Sequence, residues 1–215
     1  MDQITKPPIS KLPSLAVLKE NYLEWGREVA NKTKKFSFER QKGLYKEIRF
    51  QLAILTNNHC SFCDGFPVGT ESTEQIEHYF PKDSFPLLAY DWDNLFYCCN
   101  VCNTEANKGA FQDTLKPDHV HYRFETCFYF DAFDGGLCVM EDLERKNKIL
   151  SDKAKLFLLR YGINNPQRKE ARLSLIQTIK DHFIAIQVNN RESSRNEFKY
   201  RYVYDFCLKT STFRR

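Results

Sequence analysis

The spacing of apolar residues divides the chain into a helical start, a short-stranded middle and a mixed end. Residues 1–13, rich in proline, read as extended, and Ser14 stands where a helix cap belongs. Leu15, Leu18, Tyr22, Trp25 and Val29 follow with the three-four spacing of one buried helical face. Residues 31–35 form a basic turn. A second helix is expected from about Phe38, with Tyr45, Ile48, Leu52 and Leu55 facing the core and Lys42, Lys46 and Arg49 on its other sides. Asp64-Gly65 marks a turn, and the period then changes. Residues 73–80 read as a short strand that Pro81 ends, 82–93 as a loop, 94–97 as a returning strand and 99–106 as the start of a helix.

Further on, residues 126–133 and 137–140 flank Asp134-Gly135-Gly136, a hairpin signature. A helix over 151–161 is closed by Gly162. Asn165 caps a long helix that opens on Pro166 and runs to about Gln187, aligning Leu173, Ile176, Ile179, Phe183 and Ile186. The tail, with Phe198, Tyr200, Arg201, Tyr202, Tyr204 and Phe206, alternates in the manner of a strand, with a helix as the alternative.

Charge adds an asymmetry. The 215 residues carry a net +4, but 1–50 hold eleven Lys and Arg against six Asp and Glu, whereas 51–109 hold two against eight. An acidic centre between basic flanks suits a cation site facing a polyanion, although solvated termini account equally for any single run. Eight cysteines are a number that a secreted disulfide scaffold would carry. The start has no apolar leader, and four of the eight fall in metal-type knuckles, so a reducing cytoplasm is expected, with Cys127, Cys138 and Cys207 as ordinary buried thiols. No apolar run approaches the ~20 residues of a membrane span.

Those knuckles are Cys60-Ser-Phe-Cys63 and Cys99-Asn-Val-Cys102, separated by thirty-five residues. Four thiolates so spaced can clamp one tetrahedral Zn²⁺. Cys98 adjoins the second pair, but only Cys99 gives the two-residue spacer. Between and after the knuckles stand Ile76-Glu77-His78-Tyr79-Phe80-Pro81, Trp92-Asp93-Asn94-Leu95, Asn103 and Asn107-Lys108-Gly109. A structural zinc site has no use for an acid-His pair and an asparagine, and that surplus is the functional signal. A neutral imidazole can take a proton from water at physiological pH. A divalent cation can hold the charge that builds on a phosphoryl group and its leaving oxygen. Neighbouring side chains on a strand point to opposite faces, so the Glu77-His78 pair is expected at a strand end or bulge.

Together these residues resemble the HNH endonucleases, the ββα-metal nucleases, in the form whose finger is braced by a four-cysteine zinc. The strong likeness runs from Cys60 to Gly109. A weaker one, through Lys116 to Arg172, is to the HNH proteins of bacterial phage-defence systems, Septu and the Septu-like effectors of some retrons, which pair the nuclease with a separate ATPase. The resemblance implies an α+β fold: a ββα-metal finger over 58–112, an N-terminal helical segment over 1–57 and a C-terminal hairpin-and-helix region over 113–215.

It also implies roles. His78 is the general base and Glu77 a ligand of the catalytic cation, Mg²⁺ or Mn²⁺. Asn94 bonds across the finger to hold the base. Asn103 is the second ligand, with Asn107, one helical turn later, as its competitor, and Lys108 meets a phosphate. Two departures stand out: the acid is Glu where Asp is usual, and the gap from Asn103 to Lys108 is long. The implied activity is phosphodiester hydrolysis in DNA, leaving a 5′ phosphate and a 3′ hydroxyl, beside an ATPase partner. The alternatives are a zinc-finger module that binds nucleic acid or protein without cutting, and a nuclease acting on RNA such as tRNA. His59, His119, His121 and His182 fit no motif.

Overall fold

The protein, as a computed structural model, is described over residues 1–70, 72–106, 113–189 and 195–210. It is α+β, with two separate two-stranded sheets among the described residues. The chain forms two compact units: Ile4–Ser61 with Val68–Phe111, and Met1–Gln3 with Phe62–Pro67 and Gln112–Arg215. No helix among the described residues is long and apolar enough to cross a membrane.

In the unit of Ile4–Ser61 and Val68–Phe111, helix α1 spans Ala16–Ala30. Ser14 does not cap it. Pro13 instead opens a 3₁₀ turn, Pro13–Leu15, and Leu15 takes the cap position without a side-chain bond. Ser14 Oγ accepts from Gln51 Nε2 on the next helix at 3.2 Å. Leu15 and Leu18 are buried, while Tyr22, Trp25 and Val29 are half-buried. Gly26 lets the turn Pro86–Leu88 press on α1, since a Cβ there would stand 2.7 Å from the Leu87 carbonyl oxygen.

The second helix starts later than its apolar spacing suggests. A 3₁₀ turn, Phe38–Arg40, comes first, and Gly43 then adopts φ +83°, a left-handed conformation that breaks the run. Helix α2 is Leu44–Leu55 and buries Leu44, Ile48, Leu52 and Ala53.

Strand β1, Glu74–His78, pairs antiparallel with β2, Leu95–Cys99, in a register running from Glu74 opposite Cys99 to His78 opposite Leu95. All five residues of β2 are buried, which anchors the hairpin in the core. Helix α3, Asn100–Ala106, follows without a loop. Asn94 closes a 3₁₀ turn, Trp92–Asn94, and does not begin the strand.

In the other unit, the short helix α4, Phe124–Cys127, leads into a hairpin of β3, Phe128–Phe130, and β4, Leu137–Val139. Gly135 turns it at φ +77°, and a Cβ there would collide with the Lys169 carbonyl. Helices α5, Glu141–Lys146, and α6, Lys148–Arg160, come next; Asn147 caps α6 one turn before its expected start. Gly162 ends it at φ +54°. Asn165 caps helix α7, Pro166–Asn189, accepting from Arg168 N–H at 2.9 Å.

The stripe that α7 buries is rotated from the one its leucines and isoleucines suggest. It comprises Arg168, Arg172, Leu175, Ile179 and Phe183; Leu173 is exposed, Ile176 is half-buried, and the Ile186 side chain lies outside the described residues. Arg172 explains the rotation. Fully buried, it donates to Tyr202 Oη at 2.7 Å, to the Gly135 carbonyl at 2.9 Å and to the Ile163 carbonyl. Hydropathy assigns such a residue to the surface, but a guanidinium whose three nitrogens each find an acceptor can be packed inside.

The tail is a helix, not a strand: α8, Arg201–Thr210, buries Arg201, Tyr202, Val203, Tyr204 and Cys207. An aromatic cluster centres this unit. Phe62 stacks on Tyr161 at 4.0 Å, with Phe157, Tyr122 and Phe128 around them.

Candidate functional site

The first knuckle is approached through Asn57 and Asn58, both left-handed, a conformation that asparagine tolerates better than most residues. Ser61 N–H donates to the Tyr97 carbonyl on β2 at 2.9 Å. The sulfurs of Cys60, Cys63, Cys99 and Cys102 lie within 4.8 Å of one another, all buried. A tetrahedral Zn²⁺ with Zn–S bonds of about 2.3 Å fits a group of this size.

Backbone amides already point at two of these sulfurs: Gly65 N–H at Cys63 Sγ and Cys102 N–H at Cys99 Sγ, each at 3.4 Å. Such donors stabilise thiolates. A Cβ at Gly65 would stand 3.3 Å from Cys63 Sγ, so glycine keeps that approach open. Cys98 is buried but is not one of the four. Cys127 and Cys207 are buried free thiols as expected, and Cys138 is only half-buried. Four protein ligands leave no open position, so an ion held here braces structure.

His78 is the last residue of β1. Its Nε2 lies 2.9 Å from the Ala89 carbonyl oxygen. A carbonyl only accepts, so Nε2 carries the proton and Nδ1 carries the lone pair. Nδ1 has no hydrogen-bond partner among the described residues. The ring stacks on Phe38, with centroids 5.7 Å apart, and meets Phe36 edge-on at 5.2 Å. Burial lowers its pKa to about 4, assisted by the Lys82 charge and opposed by the Ala89 hydrogen bond and Asp83. The imidazole is therefore neutral at physiological pH.

Asn94 is buried and ties the loop between the strands together. Its Oδ1 accepts from Phe80 N–H at 2.7 Å, and its Nδ2 donates to the carbonyls of Phe80 and Leu88, each at 3.0 Å. Phe80 lies two residues after His78, and Leu88 precedes Ala89. The amide thus fixes both the strand that carries His78 and the carbonyl that orients its imidazole.

Glu77 is buried and opposite Phe96. Strand alternation sends it to the face of Gln75, and sends His78 to the face of Ile76. Helix α3 reaches the former face: Asn103 Nδ2 donates to Gln75 Oε1. Gln75 and Glu77 are about 7 Å apart along the strand. Asn107 and Lys108 lie outside the described residues.

The sequence gives no sign of the groups that seat His78. Phe36 and Phe38 are forty residues upstream, in a basic stretch with no motif, and Ala89 contributes only a carbonyl. Of the unassigned histidines, His59 is wholly buried, with Nδ1 2.8 Å from the Asn57 carbonyl oxygen.

No family model matches the chain. Over 70 residues it is 31% identical to the Septu protein PtuB of Bacillus thuringiensis. That match takes in 33% of this chain and spans 26% of the length of PtuB.

Proposed function

We propose that the chain is an HNH endonuclease that hydrolyses phosphodiester bonds in DNA, and that it serves as the cytoplasmic nuclease of a bacterial anti-phage defence system. The observation that carries the first part is the seating of His78. Its proton is committed to a backbone carbonyl, and its lone pair is left without a partner at the end of a hairpin that adjoins four convergent cysteines. The partial likeness to the Septu protein PtuB supports the defence role, and with it an ATPase partner that directs or restrains cutting.

In this reading His78 Nδ1 takes a proton from water as the water oxygen attacks phosphorus. The 3′ oxygen leaves in line, and a 5′ phosphate remains on the other fragment. Asn94 keeps the imidazole aimed by fixing the loop at Phe80 and Leu88. Glu77, with Asn103 or Asn107, offers the hard oxygen donors that Mg²⁺ or Mn²⁺ prefers, from the face of β1 opposite His78, so in this reading the scissile phosphate sits across the strand end that His78 closes. Such an ion, when bound, supplies charge stabilisation for the phosphoryl group and the departing oxygen. Lys108 holds a neighbouring phosphate, and the zinc braces the hairpin and α3.

The test is nicking of supercoiled plasmid with added Mg²⁺ or Mn²⁺, with a Septu-type ATPase supplied in a parallel arm. Cutting by the unsubstituted chain, abolished in His78→Ala with an unchanged melting temperature, is the expected result. DNA retention without cutting in both arms would leave a binding module. Cutting confined to a tRNA substrate would move the target to RNA.

A further inference from the structure

We propose that residues 32–38, together with Lys82, form the lip of this site and grip the DNA backbone beside the scissile phosphate. The inference rests on the nuclease reading and adds a substrate-binding segment far from the motif. Phe36 and Phe38 bring this stretch onto the His78 ring. The Lys82 ammonium lies 5.8 Å from the centre of the Phe36 ring, itself 5.2 Å from the imidazole. Each strand of B-DNA presents a charge about every 3.4 Å of axis. A cation one aromatic ring away from the proposed general base therefore meets phosphates close to the one being cut.

The segment is held in a way that a solvated basic run does not need. Tyr90 Oη accepts from Ser37 N–H at 3.0 Å and donates to the Ser37 carbonyl at 2.9 Å. Arg40 joins the same hydroxyl at 3.0 Å, the Lys35 carbonyl at 3.2 Å and Glu28 at 2.9 Å. Tyr90 is fully buried, so these bonds fix the backbone that carries Lys35 and Phe36. Glu28 also engages Lys34, at 2.6 Å. Lys32 and Lys35 are exposed and carry no ion pair among the described residues, and Lys82 has only the exposed Asp83, at 3.3 Å. The result is a pinned backbone that presents Lys32 and Lys35, with Lys82 beside the Phe36 ring that packs on His78. Backbone-directed cations of this kind position a duplex without reading its sequence.

The test is fluorescence anisotropy of a short labelled DNA duplex with the full chain and no added divalent cation, over about 50 to 200 mM salt. Lys35→Ala and Lys82→Ala should each weaken binding to all sequences alike and reduce the slope of log affinity against log salt by about 1. Lys146→Ala, an exposed cation paired with Asp142 on α5, should leave the slope unchanged. Plasmid cutting that depends on His78, alongside an unaltered slope in both lysine variants, overturns the lip and leaves the nuclease standing. Absence of both cutting and duplex binding in the unsubstituted chain would remove the nuclease reading, and the lip with it.

Discussion

Asp64 and Arg201, 137 residues apart, meet directly beside the first cysteine knuckle. The Arg201 guanidinium gives Nε to Asp64 Oδ1 at 3.0 Å and Nη2 to the same oxygen at 2.5 Å, while the Arg201 backbone N–H donates to Oδ2 at 2.6 Å. Tyr200 N–H adds a bond to the Asp64 carbonyl at 2.8 Å. The carboxylate thus pairs with a side chain and also caps α8, where the helix dipole favours a negative charge. Asp64, at φ +61°, follows Cys63 immediately, so α8 fixes the backbone that sets that sulfur.

Removing one partner of this pair should be costly. Asp64 is 1% exposed and Arg201 5%. Arg201→Ala takes the guanidinium from a buried carboxylate and leaves it only the Met1 amino group, 3.4 Å away, and the backbone N–H of residue 201, a loss of at most the about 3–5 kcal/mol of a broken buried pair. Urea unfolding of the zinc-loaded chain should show that loss, together with faster release of zinc to a chelator. Arg201→Lys should recover only part of it, because an ammonium cannot reproduce the forked contact.

The cysteine group makes a separate prediction. Metal analysis should find one Zn²⁺ per chain, and chelation should loosen or unfold the hairpin, because binding energy at such a site is folding energy. Cys60→Ser should lose zinc and soluble yield, whereas Cys98→Ser should keep both. Equal zinc loss in the two variants would put Cys98 into the ligand set.

The arginines mark where sequence reading stops. Periodicity finds α1, α2, both hairpins and α7, because their apolar faces are written in leucine, isoleucine and tyrosine. It misplaces the buried stripe of α7 because Arg172, a core residue here, carries a surface residue's hydropathy. It reads the tail as a strand because Tyr200, Tyr202 and Tyr204 alternate; α8 forms because Asp64, far upstream, caps it. The candidate site divides in the same way. Motif spacing gathers Cys60, Cys63, Cys99 and Cys102 and singles out His78 and Asn94. The rings and the carbonyl that seat His78 come from tertiary packing, and no local pattern announces Phe36, Phe38 or Ala89.

Asn94 should act on both fold and rate. Its side chain satisfies the Phe80 amide and two carbonyls inside the protein. Asn94→Ala strands those groups, at about 1–3 kcal/mol for each buried group left unsatisfied. On the proposed nuclease reading, lower thermal stability should accompany a fall in the cutting rate at saturating DNA, with little change in DNA affinity, because Asn94 acts there only through the loop that orients His78. A variant that cut at the normal rate after losing stability would confine Asn94 to a structural role.

The buried imidazole sets a pH dependence whose sign follows from its pKa. The folded value of about 4 lies below the ordinary 6.5. Between those values the unfolded chain binds a proton that the folded chain refuses, so stability falls as pH drops from 6.5 toward 4 and is unaffected by this group above 6.5. Urea midpoints from pH 7 to 4.5 should therefore decline more steeply in the unsubstituted chain than in His78→Gln. The comparison cancels protonation of the four clustered cysteines, which both chains share. Ring resonances of His78, followed by NMR without added Mg²⁺, should titrate near 4. A midpoint near 6.5 would mean that Phe36 and Phe38 do not shield the ring, and the packing assigned to them would be wrong.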